Sequence, residues 1–450
     1  MILTLASFAL ALGILIAVHE FGHYWVGRKM GVHVLRYSIG FGPVLYSRRN
    51  KLGTEFSLSL LPLGGYVKFL DEREGDVAPE LVSQAFNRQS IGARAAIVAA
   101  GPAANFLLAI ALYAGLSMWG QPNLRPIINQ PNEASMIASA GNAQRGDRVI
   151  AIDGTPVENW MDVQMALVKR VGESGTIDIT LRPERGFQDV ELSIAIERWL
   201  SGERDPNVLA EVGLQPWQPI IPAVVDEVVA GSPAEDAGIR PGDELITANG
   251  ESLSDWQQWR SLFASSPSEA IEVGVQRVSG VDTVVLTPER LEDGSGRVGI
   301  AVLLPEEIAF PDGYRYTERL NPLQAVPYGV QQTWQLVTTS FDFLGKMLSG
   351  AVTPKNLSGP VSIAQLAGES ASYGVISFIT FLAFISVSLG VVNLLPLPVL
   401  DGGHLVLLAL EKVRGQPMPE KFEQVWGTIG MFVLLSIMSF ALFNDLDRLG

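Results

Sequence analysis

The chain has 450 residues, of which 48% are hydrophobic, and its formal net charge is −15. So acidic a chain is a poor partner for nucleic acid. The absence of cysteine excludes disulfides, thiolate metal sites and cysteine nucleophiles. The acidic residues concentrate between positions 120 and 320, whereas the remainder is nearly neutral and strongly apolar. This division predicts a membrane-embedded part and a hydrophilic region outside the membrane.

Four apolar stretches have the length and composition of transmembrane helices. They lie at residues 2–26, 95–119, 376–398 and 427–443. The first stretch has an alternative interpretation as a cleaved signal peptide. No basic residue precedes it and no small-residue cleavage site follows it, so we expect a retained helix.

Lysine and arginine cluster between spans one and two and again between spans three and four. Because basic loops stay on the cytoplasmic side, both loops are predicted to be cytoplasmic. The two termini and the region 120–375 should then lie on the outer side of the membrane.

The run HEFGH at residues 19–23 follows the first apolar stretch. His19 and His23 are four residues apart, so they share one face of a helix and can hold one Zn²⁺. Glu20 would stand beside a zinc-activated water, take its proton and return it to the departing amine. At 1.5 Å per residue the preceding run covers ~26 Å, which puts the motif near the cytoplasmic end of the membrane. Ionisable groups at membrane depth are usually functional.

A catalytic zinc site needs a third protein ligand and one open position. The candidate is Asp401, in the run NLLPLPVLDGGH at residues 393–404. Counting spans brings Asp401 to the same membrane face as the two histidines. Two alternatives stay open: Asp401 is the N-cap of a following helix, or His404 is the third ligand.

Residues 54–69 predict two strands around a Pro/Gly turn, too short for a membrane span. Such a hairpin is either a plain cytoplasmic element or dips into the membrane where protein covers its backbone. In the second case its free strand edge could hold an unwound substrate. Residues 322–349 predict an amphipathic helix near the outer interface.

The middle region contains an internal repeat. GDRVIAIDG at residues 146–154 matches GDELITANG at residues 242–250, and each copy combines turns, alternating strands and a helix. The pair is similar to tandem PDZ domains, which bind extended peptides at a sheet edge. The second copy matches better than the first. The alternative is two β-rich domains without a ligand.

Together, HEFGH in an apolar helix, NLLPLPVLDGG in a later one and PDZ domains between them resemble the site-2 protease family of intramembrane metalloproteases. The resemblance extends along nearly the whole chain. It implies a multi-pass α-helical membrane protein with four transmembrane helices and two periplasmic PDZ domains inserted between helices 2 and 3. By this resemblance His19, His23 and Asp401 bind Zn²⁺, and Glu20 is the catalytic acid/base. It further implies that five residues help hold substrate: Asn393, Pro396, Pro398, Gly64 and Gly65.

The predicted divisions of the chain follow from these assignments. They are residues 1–119 for transmembrane helices 1 and 2 with a hairpin near 54–70, 120–212 for the first PDZ domain, 213–308 for the second, 309–375 for an amphipathic periplasmic segment and 376–450 for transmembrane helices 3 and 4.

The resemblance also implies a function in a bacterial inner membrane. The expected substrates are single-pass membrane proteins of the anti-sigma factor type, cut after a first cleavage outside, and signal peptide remnants. The PDZ domains would bind peptide ligands and filter substrates by size, and the lipid bilayer surrounds the spans. The competing class is a non-catalytic membrane PDZ scaffold with a structural metal. A metal transporter is disfavoured, because the spans carry no relay of polar groups.

Overall fold

The structure, a computed structural model, describes residues 2–186, 188–304 and 310–449. Its first part comprises helix α1 (Ile2–Lys29), strands β1 (Val34–Arg49) and β2 (Glu55–Phe69), and helix α2 (Ile91–Trp119). The expectation of two strands within 54–69 is wrong, since that segment is the single strand β2 and its partner is β1.

The β1–β2 sheet is bent upon itself. Ile39 pairs with both Leu58 and Gly65, so the two halves of β2 lie on either side of β1. Gly40, at φ 89°, allows the bend in β1. Tyr37 fixes the sheet to α1, because its hydroxyl donates a 2.7 Å hydrogen bond to the carbonyl of Ala17.

The first repeat follows α2. Its elements are β3 (Gln121–Leu124), α3 (Met136–Ala140), β4 (Arg148–Ile152), β5 (Thr155–Pro156), α4 (Trp160–Val168), β6 (Gly175–Arg182), β7 (Val190–Ile196) and α5 (Val208–Val212). Four strands form an antiparallel sheet in the order β5-β4-β6-β7. Alternate residues of β6 and β7 are buried, as expected for a sheet with one face on a core.

The second repeat has a similar plan. Its elements are β8 (Val225–Val228), α6 (Pro233–Asp236), β9 (Glu244–Ala248), β10 (Glu251–Ser252), α7 (Trp256–Ser265), β11 (Ile271–Arg277), β12 (Gly280–Leu286), β13 (Glu289–Arg290), β14 (Gly296–Arg297) and β15 (Ile300–Val302). The strand order β10-β9-β11-β12 repeats that of the first sheet. Trp259 of α7 is fully buried in this core.

The last part returns to apolar helices. It comprises β16 (Arg315–Glu318), α8 (Pro322–Leu348), α9 (Pro360–Ser372), α10 (Val375–Asn393), α11 (Asp401–Arg414) and α12 (Glu420–Leu449). Strand β16 pairs with β3, a long-range contact that no local sequence pattern predicts. Helix α8 packs along α2, where Gly329 lies against the backbone of Ile110.

Within the part of the chain that the structure describes, four helices are long and apolar enough to cross a membrane: α1, α2, α10 and α12. The four predicted spans are therefore confirmed by length and composition. Helix α10 ends at Asn393 rather than at 398, because a loop that contains Pro396 and Pro398 follows it. The predicted boundary at 308 and 309 lies outside the described residues, and the other divisions of the chain stay predictions.

Candidate metal centre

Helix α1 continues through the HEFGH motif, so His19 and His23 lie one turn apart on one face. Their Nε2 atoms are 3.2 Å apart. The two rings meet edge to face, with 4.8 Å between their centroids. Both imidazoles therefore direct the same nitrogen to one point.

Asp401 meets the histidines at that point. It is the first residue of α11. Its Oδ2 atom is 3.2 Å from Nε2 of His19 and 3.5 Å from Nε2 of His23. The helix is preceded by Leu400, whose side chain makes no cap, so Asp401 is not the N-cap residue that the alternative interpretation required.

The three side chains fit a metal ion. Their ligand atoms all lie within 4.8 Å of one another. Oδ2 of Asp401 is buried and has no hydrogen-bond partner among the described residues, which is costly for a carboxylate unless a cation satisfies it. Two imidazole nitrogens and one carboxylate oxygen are a donor set that catalytic zinc takes, with a fourth position left open. His404 is not a member of this group in the described chain.

A second layer of contacts comes from α2. Nδ1 of His23 donates a 2.8 Å hydrogen bond to the carbonyl of Ile97. The carboxamide of Asn105 lies 3.2 Å from Nδ1 of His19. These partners orient the two rings so that Nε2 faces the metal position. The position of Asn105 in an apolar helix suggests that it faces the site, but no spacing pattern identifies His19 as its partner, and the contact with the carbonyl of Ile97 leaves no sequence signal at all.

Glu20 is buried, at 8% exposure, on the flank of α1 that faces β2. A Cβ built on Gly65 would lie 2.9 Å from Cγ of Glu20 and 2.7 Å from Cγ2 of Ile16. Strand β2 therefore runs against α1 beside the metal position. Gly64, by contrast, lies against the ring of Phe41.

The remaining predicted site residues lie around the α10–α11 connection. Asn393 is the last residue of α10 and is half-buried. Pro396 is exposed in the loop, whereas Pro398 is buried and lies against Gly430 of α12. The loop thus joins the end of a span directly to the helix that begins with Asp401.

The geometry describes a metallopeptidase-like centre at the meeting of α1, α2 and α11, and comparison with known proteins agrees. The family model of peptidase family M50 matches residues 7–437. The chain therefore belongs to this family, the site-2 protease family that its motifs resemble. Members of the family are zinc-dependent peptidases, and this chain is a zinc metalloprotease.

Several bacterial proteins match along nearly their whole length. The protease RseP of Yersinia pestis is 42% identical over 447 residues, which cover 99% of each chain. The regulator of sigma-E protease RseP of Escherichia coli is 40% identical over 445 residues, 99% of this chain and 98% of that protein. A putative zinc metalloprotease of Pasteurella multocida is 41% identical over 444 residues, with 99% and 98% covered.

Within the family, the four spans and two repeats resemble the bacterial regulator of sigma-E protease in particular, and these relatives confirm that likeness. Together with the four apolar helices, they identify the chain as an integral protein of the inner membrane.

Proposed function

We propose that this zinc peptidase cuts peptide bonds within the membrane-spanning segments of other proteins. One observation carries the proposal: His19, His23 and Asp401, which are far apart in the sequence, bring their ligand atoms within 4.8 Å of one another. They do so between helices α1 and α11, with α1 long and apolar enough to span a membrane. A hydrolytic site at such a place acts on substrates that are themselves in the membrane.

The mechanism assigns one task to each side chain. His19, His23 and Asp401 would hold zinc, which would supply Lewis acidity to water and to the scissile carbonyl. Glu20 accepts a proton from the attacking water and delivers it to the amide nitrogen as the C–N bond breaks. Its burial beside β2 supports this role, because the carboxylate is held near the position of the reacting bond and away from bulk solvent.

The substrate must be unwound before it is cut, since the hydrogen bonds of a helix shield its peptide groups. We assign the holding of the unwound segment to β2 near Gly64 and Gly65, and to Asn393, Pro396 and Pro398. The absence of a side chain at Gly65 supports this assignment, because the backbone of β2 comes close to Glu20 there. An extended substrate added to β2 would place its peptide groups along the same line.

The orientation follows the distribution of basic residues. The connection α1–α2 and the region between α10 and α12, which includes α11, face the cytoplasm, whereas the repeats and both termini face the periplasm. The meeting of the three ligands supports this topology. The end of α1 and the start of α11 must share one membrane face, as the count of spans requires. The active site then lies near the cytoplasmic side.

The two repeats act as periplasmic PDZ domains. Their sheets have the same strand order, and their turns agree in detail. Asp153 and Asn249 both have φ 49°. The side chain of Asp153 accepts a hydrogen bond from the backbone N–H of Asp178 in β6, and that of Asn249 accepts one from the backbone N–H of Glu272 in β11. This agreement supports one fold for both copies.

The second repeat offers the clearer ligand site. A groove of about 540 Å³ lies between α7 and the segment from β14 to β15, with Trp256, Arg260 and Val298 in its lining. We assign it to an extended peptide, with Arg260 available to a carboxylate. The PDZ domains would also exclude substrates with large periplasmic domains.

The names of the relatives suggest the pathway. RseP of Escherichia coli is called a regulator of sigma-E protease. By that likeness we propose that this enzyme takes part in regulated intramembrane proteolysis during an envelope stress response. Its substrates would be a pre-cut anti-sigma factor and the remnants of signal peptides.

The test is Glu20→Gln in the full chain, reconstituted with a labelled transmembrane peptide. Zinc content should equal that of the wild type, because the three ligands are untouched. Cleavage should fall about 10²- to 10⁴-fold, the usual worth of general acid–base catalysis. His23→Ala is the matched variant, which should lose both zinc and cleavage. If Glu20→Gln cleaved the peptide at the wild-type rate, the role of Glu20 in proton transfer would be refuted. If wild type held zinc but cut no peptide, the alternative of a non-catalytic scaffold with a structural metal would be favoured.

A further inference from the structure

An ion pair is buried between α2 and α11. The side chains of Arg94 and Glu411 are each 10% exposed. Nη1 of Arg94 donates a 3.1 Å hydrogen bond to Oε2 of Glu411, and Nη2 donates a second one to Oε1. The pair is thus bidentate, the geometry in which arginine fixes a carboxylate most closely. The hydrolytic mechanism does not use either group.

The two partners belong to the elements that build the metal centre. Arg94 lies in the first turn of α2, which further along carries the carbonyl of Ile97 and the carboxamide of Asn105. Glu411 lies in α11, the helix that begins with Asp401. Helix α2 therefore contacts both histidines directly, and through the ion pair it contacts α11, the helix that carries Asp401.

We propose that the Arg94–Glu411 pair is a positioning device that sets the place of Asp401 relative to His19 and His23. The inference rests on the proposed function of the metal centre. A straight helix transmits displacement, and ten residues separate Glu411 from Asp401, which is ~15 Å of helix. Zinc ligands must keep their distances within about 0.2 Å, so a shift of α11 along α2 breaks the site.

Helix α11 packs against α2, and the Arg94–Glu411 pair is a bidentate charged contact between them. The connection from α10 is an irregular loop with two prolines. Gly402 lies against the carbonyls of Leu394 and Leu395, so this end of the helix packs closely on its own loop. A buried ion pair is a weak source of stability, because desolvation offsets its attraction, but in some proteins buried polar groups fix the register between helices. That is the property the metal site requires.

The test replaces both charges with apolar groups, in Arg94→Met/Glu411→Leu, so that no unpaired charge stays buried. Purified full-length protein is loaded with Zn²⁺ and mixed with excess chelator. Zinc release should be at least about 10-fold faster than in the wild type, as for losses of groups that orient metal ligands. The visible spectrum of the Co²⁺-loaded protein should change. Arg88→Met/Glu72→Leu removes an exposed pair in the segment before α2 and should behave as the wild type.

A second variant separates positioning from folding. The exchange Arg94→Glu/Glu411→Arg keeps an ion pair and should retain zinc better than Arg94→Glu alone. If Arg94→Met/Glu411→Leu released zinc at the same rate as the wild type, the inference would be overturned. Failure of both double variants to fold, judged by thermal unfolding of the metal-free protein, would also overturn it in favour of a purely structural pair.

Failure of the proposed function can be distinguished from failure of the positioning role. If the wild type held no more zinc than His23→Ala, the metal centre itself would be wrong, and the inference would be overturned with it. If the wild type held zinc while the apolar variant released it at the wild-type rate, only the positioning role would fall.

Discussion

Gly101 lies on the part of α2 that faces the two histidines. A Cβ at this position would fall on Nε2 of His23 and within 2.7 Å of Cε1 of His19. The ring of His23 cannot retreat freely, because its Nδ1 is bound to the carbonyl of Ile97. The glycine is therefore a condition for both nitrogens to face one point.

Gly101→Ala should consequently lower zinc affinity by about 10- to 100-fold, the loss seen when groups around metal ligands are disturbed. Zinc titration of the purified protein measures it. Gly92→Ala is the matched control in the same helix, because nothing lies within 4 Å of its Cβ. There alanine should stabilise the helix by up to ~1 kcal/mol and leave zinc affinity unchanged. Equal zinc affinity in Gly101→Ala and Gly92→Ala would contradict the close packing of Gly101 against the two histidines.

Asn105 shows how far the sequence alone leads, because the sequence suggests that this residue faces the site but does not identify its partner. Its Oδ1 is buried and has no partner among the described residues, while Nδ2 faces Nδ1 of His19. A half-turn of the carboxamide brings Oδ1 to accept from Nδ1–H, which leaves the Nε2 lone pair of His19 free for a metal. The spacing of His19 and His23 predicted the ligand face from helical periodicity alone. The partners that select the tautomer come from a different helix, so only the packed structure identifies them.

At the scale of elements, β2 is where prediction and structure differ most. The run of Pro62, Gly64 and Gly65 has turn composition, so the sequence predicted a turn between two short strands. In the structure these residues belong to β2, and the true turn lies between Arg49 and Glu55. Pairing with β1 overrides the local preference, a known limit of propensity arguments.

The contact between β2 and α1 gives a prediction. In Gly65→Ala the new Cβ would meet the carbonyl of Ser38 at 2.7 Å and Cγ of Glu20 at 2.9 Å. Strand β2 should move away from α1, and cleavage of a transmembrane peptide should fall by about 10²-fold, since misplacement by ~1 Å costs that much.

Zinc content is the discriminating measurement for Gly65→Ala. It should stay at the wild-type level, in contrast to Gly101→Ala, because the three atoms nearest to the new Cβ belong to Ile16, Ser38 and Glu20 and none is a proposed metal ligand. Gly13→Ala, on α1 with nothing within 4 Å of its Cβ, should leave both cleavage and zinc unchanged. Loss of zinc from Gly65→Ala would mean that β2 supports the ligands themselves.

At the scale of the whole molecule, the sequence predicted the four spans well, and its repeated motif falls in two sheets of the same strand order. Hydropathy and a repeated turn motif are local signals that survive without knowledge of packing. It did not predict how the first repeat meets the helical part. That junction depends on side chains from three distant segments, which no periodicity links.

Polar contacts at the end of α12 form one part of the junction. Arg448 donates to Asp205 at 3.0 Å, and Arg204 donates to Asp447 at 2.6 Å, so two ion pairs cross between the first repeat and α12. Asp445, buried in the same turn, accepts hydrogen bonds from the backbone at the start of α9, at Gly359 and Val361. The first repeat is therefore held to the helices by reciprocal charges.

Removing both arginines, in Arg204→Ala/Arg448→Ala, should loosen this junction. Partly exposed ion pairs contribute about 0.2–1 kcal/mol each, so amide hydrogen exchange in the segments 200–207 and 353–362 should rise only a few-fold. Global unfolding should change little, because the core of each repeat is intact.

Arg182→Ala removes the exposed pair with Asp189 inside the same repeat and should leave exchange in both segments unchanged. Since salt screens exposed charges, raising ionic strength should reproduce the effect in the wild type and not in the double variant. Unchanged exchange in Arg204→Ala/Arg448→Ala would mean that other contacts hold the junction, such as the Lys346–Glu173 ion pair and the packing of Phe343 and Met347 on the core of the first repeat.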